Sequence, residues 1–394
     1  MDGDRRKSRK RLILAAGMGA LVVGLSACGG GSSSKSESVD SAFVNEAKSV
    51  VEKAYTGTDR SLPKEAPAPS KGKKVWLISC SMSAPGCAQP VNAMKEAGEA
   101  LGWNMTIADG KFDFSYYPKV IRQAIAAKPD AIVLQAIDCP TVEQPLREAK
   151  KVGIPVYSST SFDCDDPSVG GEKLFAGGTP YGASGDIGAY LETLGSLAAD
   201  SLIAATDGKA DVVEVYEDDA LYDAYVGKGF EARMKSCKSC TITRASVVGA
   251  DYGNGKVRDK VAATLARRPQ ADSVMAPIDA LVTLGTSAAV QASGRKMAFV
   301  SVGGTEVNVE QIKSGGPQTL GVGLPLDWLG WATIDGVNRI LNGEKDVDQG
   351  IGSQLFNADR NLPTDPAFYD GNVDEKGKAL VDYRAEYKKI WGVG

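Results

Sequence analysis

From about residue 74 onward, short apolar runs alternate with longer segments whose apolar residues recur every three or four positions. The clearest unit lies at 128–163. Ala131, Ile132, Val133 and Leu134 form a run entered through Pro129 and Asp130, the pattern of a strand buried on both faces. After the polar Gln135 and Asp138, residues Val142, Leu146, Ala149 and Val152 fall on one stripe of a helix expected over 141–152. Gly153 ends that helix, and the next strand is expected over 154–157. A strand–helix–strand unit of this kind makes its two strands parallel, so 135–138 and 158–163 share one sheet edge. In open parallel sheets that edge is where ligands sit.

The same reading extends in both directions. Strands are expected over 75–79, 104–108, 173–177, 211–216, 241–248, 273–276, 298–302 and 318–323. The helices between them cover 88–101, 117–127, 184–205, 222–235, 256–267, 280–292 and 327–341, the last leading towards 353–356. An amphipathic helix over 375–390 closes the chain. An internal echo supports two similar halves: 129–138 reads PDAIVLQAID and 269–279 reads PQADSVMAPID, each after a basic helix end and each running into a helix and a strand. Further upstream, Phe43, Ala47, Val50, Val51 and Ala54 have helical spacing, giving a helix over 39–55 that either docks on the body or stands as a stalk. Residues 61–74 (SLPKEAPAPSKGKK) read as a semi-rigid, solvated linker.

With 394 residues, 43% of them hydrophobic, there is enough chain for two domains with separate cores. Histidine is absent, which removes the usual acid/base at neutral pH and the commonest zinc ligand and argues against an enzyme. The first 27 residues pair a basic stretch (Arg5, Arg6, Lys7, Arg9, Lys10, Arg11) with an apolar run over 12–27 that is short for a membrane span. Without them, six basic and two acidic residues drop from totals of 45 and 49, leaving a net charge of −8. An acidic body of this kind suits neither nucleic acid nor an anionic membrane surface.

Leu25-Ser26-Ala27-Cys28 resembles a bacterial lipobox. The resemblance implies a signal peptide over 1–27, a lipid anchor on Cys28 and a location on the extracytoplasmic face of the cell membrane, with 28–72 as tether, short helix and linker. The element order, the Gly153–Val156 strand (GIPV), Lys228-Gly229-Phe230, Asp279 opening a helix, Val302-Gly303-Gly304-Thr305 and the late helix from Asp327 together resemble the class I, ribose-binding-like solute-binding proteins of ABC importers. That resemblance covers about 73–357. It implies an α/β fold of two Rossmann-like lobes with parallel sheets joined by three hinge crossovers, the periplasmic binding protein type I arrangement. Lobe one would comprise 73–177 plus 325–350, and lobe two 178–324 plus 351–394 with the C-terminal helix. Its function would be capture of a small sugar-like or polyol solute between the lobes by a monomer, and delivery to an ABC permease and its ATPase, with no cofactor and no metal. A ligand sensor of the same fold signalling to a membrane kinase or chemoreceptor is the alternative, and a less polar, non-sugar solute is another.

The sugar-contact positions of that family are largely replaced. An Asp-Arg pair after the GIPV strand is here Thr160 and Ser161. An Arg before the Gly-Phe is Ala224, an Asn before the helix-opening Asp is Ile278, an Asp before Gly-Thr is Gly303, and a Gln before the late helix is Leu324; Tyr252 stands for a stacking Phe. The candidate ligand contacts are Gln135, Thr160, Ser161, Asp218, Asp279 and Glu306, with Phe162, Tyr222, Tyr252 and Trp328 as stacking faces. Asp279 and Asp138 also open helices and have N-cap roles open to them. Of the cysteines besides Cys28, Cys237 and Cys240 read as a local disulfide, with a redox or zinc pair as the other reading. Cys80, Cys87, Cys139 and Cys164 all follow strands on the cleft edge. They admit three pairings, and Cys80–Cys87 with Cys139–Cys164 is preferred because each bond joins a loop to itself or to its sheet neighbour.

Overall fold

The computed structural model describes residues 40–394; the expected signal peptide and the expected lipidation at Cys28 lie outside the described residues. Helix α1 (Ser41–Ala54) precedes an alternating series: β1 (Lys74–Ser79), α2 (Pro85–Ala100), β2 (Asn104–Asp109), α3 (Tyr117–Ala126), β3 (Ala131–Gln135), α4 (Cys139–Lys151), β4 (Val156–Ser158) and β5 (Gly177–Gly178). These strands make one parallel sheet in the order β2-β1-β3-β4-β5. β3 is buried along its whole length, as its unbroken apolar run requires.

After α5 (Ile187–Ala205) the pattern restarts with β6 (Asp211–Glu217), α6 (Leu221–Lys235), β7 (Thr241–Val247), α7 (Lys256–Arg267) and β8 (Ser273–Ala276). A broken helix follows, α8 (Asp279–Leu281) and α9 (Ser287–Ala292) around a wide turn at Val282–Thr286, then β9 (Ala298–Gly303), α10 (Glu306–Lys313) and β10 (Leu320–Gly323). Helix α11 (Leu326–Leu341) returns to pack on α2 and β5 in the first lobe. The chain then crosses once more to lay β11 (Leu355–Asn357) antiparallel to β10, completing the second sheet, β11-β10-β9-β8-β6-β7. Crossings at β5–α5, β10–α11 and α11–β11 therefore join two α/β lobes with mostly parallel sheets.

Several expected elements differ. The strand expected over 173–177 shrinks to two glycines, because the amides of Leu174 and Phe175 go to the Asp163 carboxylate instead of to a sheet neighbour. The helix over 280–292 is interrupted at Gly285 (φ 153°), where a Cβ would lie 2.5 Å from the Arg258 backbone nitrogen; α7 packs too close for an ordinary residue. α10 was not anticipated. Of the helix over 375–390 only α12 (Tyr383–Trp391) forms, and 375–382 makes a turn and two isolated β-bridges, Lys378 with Asp365 and Ala379 with Val373.

The N-terminal helix docks. Lys48 pairs with Asp207 at 2.6 Å, and Arg233 sits 4.4 Å from the centre of the Phe43 ring, fixing α1 on α5 and α6. The segment over 57–70 is a strap and not a solvated linker. Thr58 bonds Ser353 and Arg60 pairs with Asp348; farther along, the Glu65 and Pro67 carbonyls accept from Arg339 and Asn338, and the Ser70 carbonyl from the Trp103 indole. α12 lays Tyr383, Tyr387 and Trp391 against Trp328 and Trp331 of α11.

Arg339 joins these layers, pairing with the fully buried Asp335 at 2.7 Å while holding the Glu65 carbonyl at 2.6 Å. Removing one partner of a buried pair leaves the other charge unanswered. Arg339→Ala should lower unfolding free energy by about 3–5 kcal/mol in urea titration; a loss under about 1 kcal/mol, the range of an exposed pair, would show that the pair does not stabilise the fold.

Candidate functional site

The C-terminal ends of both sheets face one another across a cavity of about 180 Å³. A cavity of about 150 Å³ accepts a benzene ring, so this one has room for one small ring or a short chain. From the first lobe come Gln135, Asp138, Thr160 and an aromatic group, Phe112, Phe114 and Tyr117; from the second come Glu217, Asp219, Tyr222, Asp223, Tyr252, Asp279 and Thr305. Leu324 and Leu326 enter from a crossover.

Local chemistry aims these groups. Gln135 is the last residue of β3 and Glu217 the last of β6, the equivalent ends of two central strands. Asp109 accepts the Met82 and Lys111 amides, and the Phe112 amide goes to the Cys80 carbonyl, so the loop after β2 is tied to the loop after β1. Lys111 and Phe112 take left-handed φ values of 61° and 53°, a strained arrangement that turns the aromatic loop over the cleft. Disulfides Cys80–Cys87 and Cys139–Cys164 tie down the same edge, and Cys237–Cys240 closes a turn after α6.

Of the residues picked from sequence, Gln135, Thr160, Tyr222, Tyr252 and Asp279 line the cavity. The others do not. Ser161 turns to the backbone, donating to the Leu134 carbonyl and accepting the Ile137 amide. Phe162 stacks on Tyr225 of the other lobe, ring centres 5.0 Å apart. Asp218 does not line the cavity, whereas its neighbour Asp219 does. Glu306 faces a separate outer groove with Pro85 and Asp327, and Trp328 is a fully buried core residue stacked on Tyr383. Asp279 does not cap its own helix: its carboxylate accepts from Ser301 at 2.7 Å, Gly304 at 2.6 Å and Thr305 at 2.7 Å. A Cβ on Gly303 would sit 2.4 Å from that carboxylate, which is why glycine occupies the position. Asp138 makes no side-chain cap on α4. It accepts the Phe162 amide at 3.0 Å and the Leu221 amide at the start of α6, in the other lobe.

Phe112, Phe114, Tyr117, Glu217 and Asp223 escaped the sequence reading. The usable signal was position: Glu217 ends a strand as Gln135 does, and the aromatic loop follows β2 on the same edge.

The lobes are closed on each other. Phe162 on Tyr225, the Tyr225 hydroxyl on Asp166 at 2.8 Å, and the Phe112 edge on Tyr252 at 5.3 Å all span the cleft. The Tyr252 hydroxyl donates to the Glu217 carboxylate. Burial pushes the Asp138 pKa up to about 6, with Asp166 adding and the two amides opposing. Burial likewise raises Glu217, Asp223 and Asp279.

The family model for the periplasmic binding protein domain matches residues 75–345. No curated protein matches the chain. Among solved structures, an ABC transporter solute binding protein from Agrobacterium vitis with bound alpha-D-tagatopyranose superposes with TM-score 0.63 at 20% identity, covering 73% of this chain and 95% of that one. A second from the same organism, with bound allitol, gives 0.60 at 20% over 73% and 96%. The periplasmic binding protein component of the arabinose ABC transporter from Shewanella sp. ANA-3 gives 0.61 at 21% over 80% and 95%.

Two outcomes follow from the closed geometry. A carboxyl group whose pKa is higher in the closed form binds protons on closure, so closure is favoured at low pH and loses favour as pH rises through about 6. Small-angle scattering of ligand-free protein should therefore show a smaller radius of gyration at pH 5 than at pH 8; an invariant radius would contradict the assignment. Tyr225→Phe removes the cross-cleft bond to Asp166 and should favour opening by about 1 kcal/mol, read as a larger radius at fixed pH.

Proposed function

The chain belongs to the periplasmic binding proteins, in the ribose-binding-like type I class, and from that premise we propose that it captures a small sugar-like or polyol-sized solute outside the cytoplasm and delivers it to an ABC permease and its ATPase. It is a binding protein and not an enzyme. The observation that carries the reading is the shared cavity, lined from both sheet ends and closed by contacts that span the lobes. A ligand touching both lobes stabilises the closed shape, and that shape is the signal a permease recognises. Cys28 anchors the body to the membrane through its lipid, and the segment before α1 serves as the tether.

The lining supports a particular kind of solute. Glu217, Asp219 and Asp223 on one side offer carboxylate acceptors, Gln135 and Thr160 on the other both donate and accept, and Phe112, Tyr117, Tyr222 and Tyr252 offer ring surface. The solute therefore donates hydrogen bonds from one face and presents a flatter, less polar face to the rings. Relatives of the same fold with bound allitol and tagatopyranose support the size class.

Thermal denaturation of the full chain against a library of sugars, polyols and their aminated counterparts tests this. A true ligand raises Tm with concentration by mass action; silence across the library would remove the receptor reading. With the solute in hand, Tyr252→Ala should weaken binding at least about tenfold, or about 1.4 kcal/mol, without loss of the folded transition. Unchanged affinity would exclude Tyr252 as a stacking face.

A further inference from the structure

Elsewhere this chain answers its buried carboxylates. Asp335 has Arg339, Asp370 has Arg384, Asp200 has Arg233 and Glu214 has Arg244, while Asp279 holds two amides and a hydroxyl. The cleft wall at the end of β6 breaks that rule. Glu217 and Asp223, 6% and 1% exposed, stand together there with the exposed Asp219 at the mouth. Among the described residues the Tyr252 hydroxyl donates to Glu217, the Asp219 carboxyl lies within hydrogen-bonding reach of it, and Asp223 Oδ1 has no hydrogen-bond partner. Among the described residues no Lys or Arg lines the cavity, and no ion pair involves Glu217, Asp219 or Asp223. A buried carboxylate left without a counter-charge is costly, and a hydroxylated neutral solute would supply hydrogen bonds but leave the charge standing.

The missing charge is not a metal ion's. Among the described residues, no group of three or more acidic, Cys or His side chains converges well enough to hold one. Aromatic rings flank these carboxylates: Tyr222 and Tyr252 from the same lobe and Phe112 from the facing lobe line the same space. Carboxylates set among aromatic rings make the environment that favours an organic ammonium group over a hydrated metal or a neutral polyol.

We propose that the solute carried in this cleft bears an ammonium group, held by Glu217 and Asp223 and covered by the rings of Tyr252, Tyr222 and Phe112. The inference rests on the solute-receptor reading and narrows it to a cationic nitrogen compound. It also gives a reason for the sugar-contact replacements at Ile278, Gly303 and Leu324: part of the recognition has moved from hydroxyl pairing to charge.

Charged and neutral twins test it. Choline against 3,3-dimethyl-1-butanol, and 1-amino-1-deoxysorbitol against sorbitol, are titrated into the full chain at pH 7.5 by thermal shift and calorimetry, and small molecules released by denaturing the freshly purified protein are identified by mass spectrometry. The expected result is an ammonium compound released or bound, with its neutral twin at least about a hundredfold weaker. Asp223→Asn and Glu217→Gln should each cut the ammonium affinity at least about tenfold and narrow the gap between twins, the second variant serving if the first does not fold. A neutral sugar or polyol released from the protein, or neutral twins binding as well as charged ones, overturns the ammonium and leaves the receptor standing. Nothing released and no shift from any probe overturns both.

Discussion

A parallel sheet uses its backbone donors and acceptors internally, so the chain is free to offer new groups only where strands stop. In this protein two such sheets stop at the same narrow space. β3 ends at Gln135, β6 at Glu217, β8 just before Asp279 and β9 at Gly303, and each supplies a residue to one cavity. Everything else about the molecule keeps those ends opposed: α11 returning to pack on α2, the three crossovers, and the strap that runs from α1 in the second lobe to Trp103 in the first. The strap adds a covalent path along the hinge. Its carbonyls are held by Arg339 and Asn338, so motion of the lobes has to be absorbed by the few residues between its anchor points.

Closure sets two opposing effects against each other. Stacking of Phe162 on Tyr225 and of Phe112 against Tyr252 buries ring surface across the cleft and favours the closed form. Desolvation of Asp138, Glu217 and Asp223 disfavours it whenever those groups are ionised. A receptor needs such a balance. If the rings won outright the cleft would be shut without ligand, and if the charges won outright a ligand would have to supply all of the closing energy.

The lobes, the parallel strands and most helices were legible because burial on both faces leaves an unmistakable apolar run, as in Ala131–Gln135. What was lost depended on tertiary partners. The sequence from 173 reads as a strand, yet Asp163 captures the Leu174 and Phe175 amides; the sequence from 375 keeps a helical spacing, yet its first residues are held in turns. At the site, the reading found the correct strand ends and missed by single positions. Thr160 faces the cavity and Ser161 the backbone; Asp219 lines the mouth and Asp218 does not. Side-chain direction beyond a strand end follows the loop's own hydrogen bonds, which no periodicity records. Phe112 was invisible for the same reason, since its approach to the cleft depends on two left-handed residues tied to Asp109 and Cys80.

The replacements at the family's sugar-contact positions acquire a physical meaning when placed in the cavity. Ile278, Gly303 and Leu324 make one stretch of lining apolar or featureless, and Asp279 beside them is consumed by Ser301, Gly304 and Thr305. Gly303 is part of that consumption, since any side chain there would strike the carboxylate. Apart from Asp138 and Asp279, the carboxylates of the lining are gathered on the wall formed by the end of β6 and the first turn of α6. A pyranose carries hydroxyls around its whole rim and each needs a partner once water is removed. Gln135, Asp138 and Thr160 add polar groups on the facing lobe, but the apolar stretch offers a ring hydroxyl no partner, which accords with the proposed solute, whose polarity is gathered at one end.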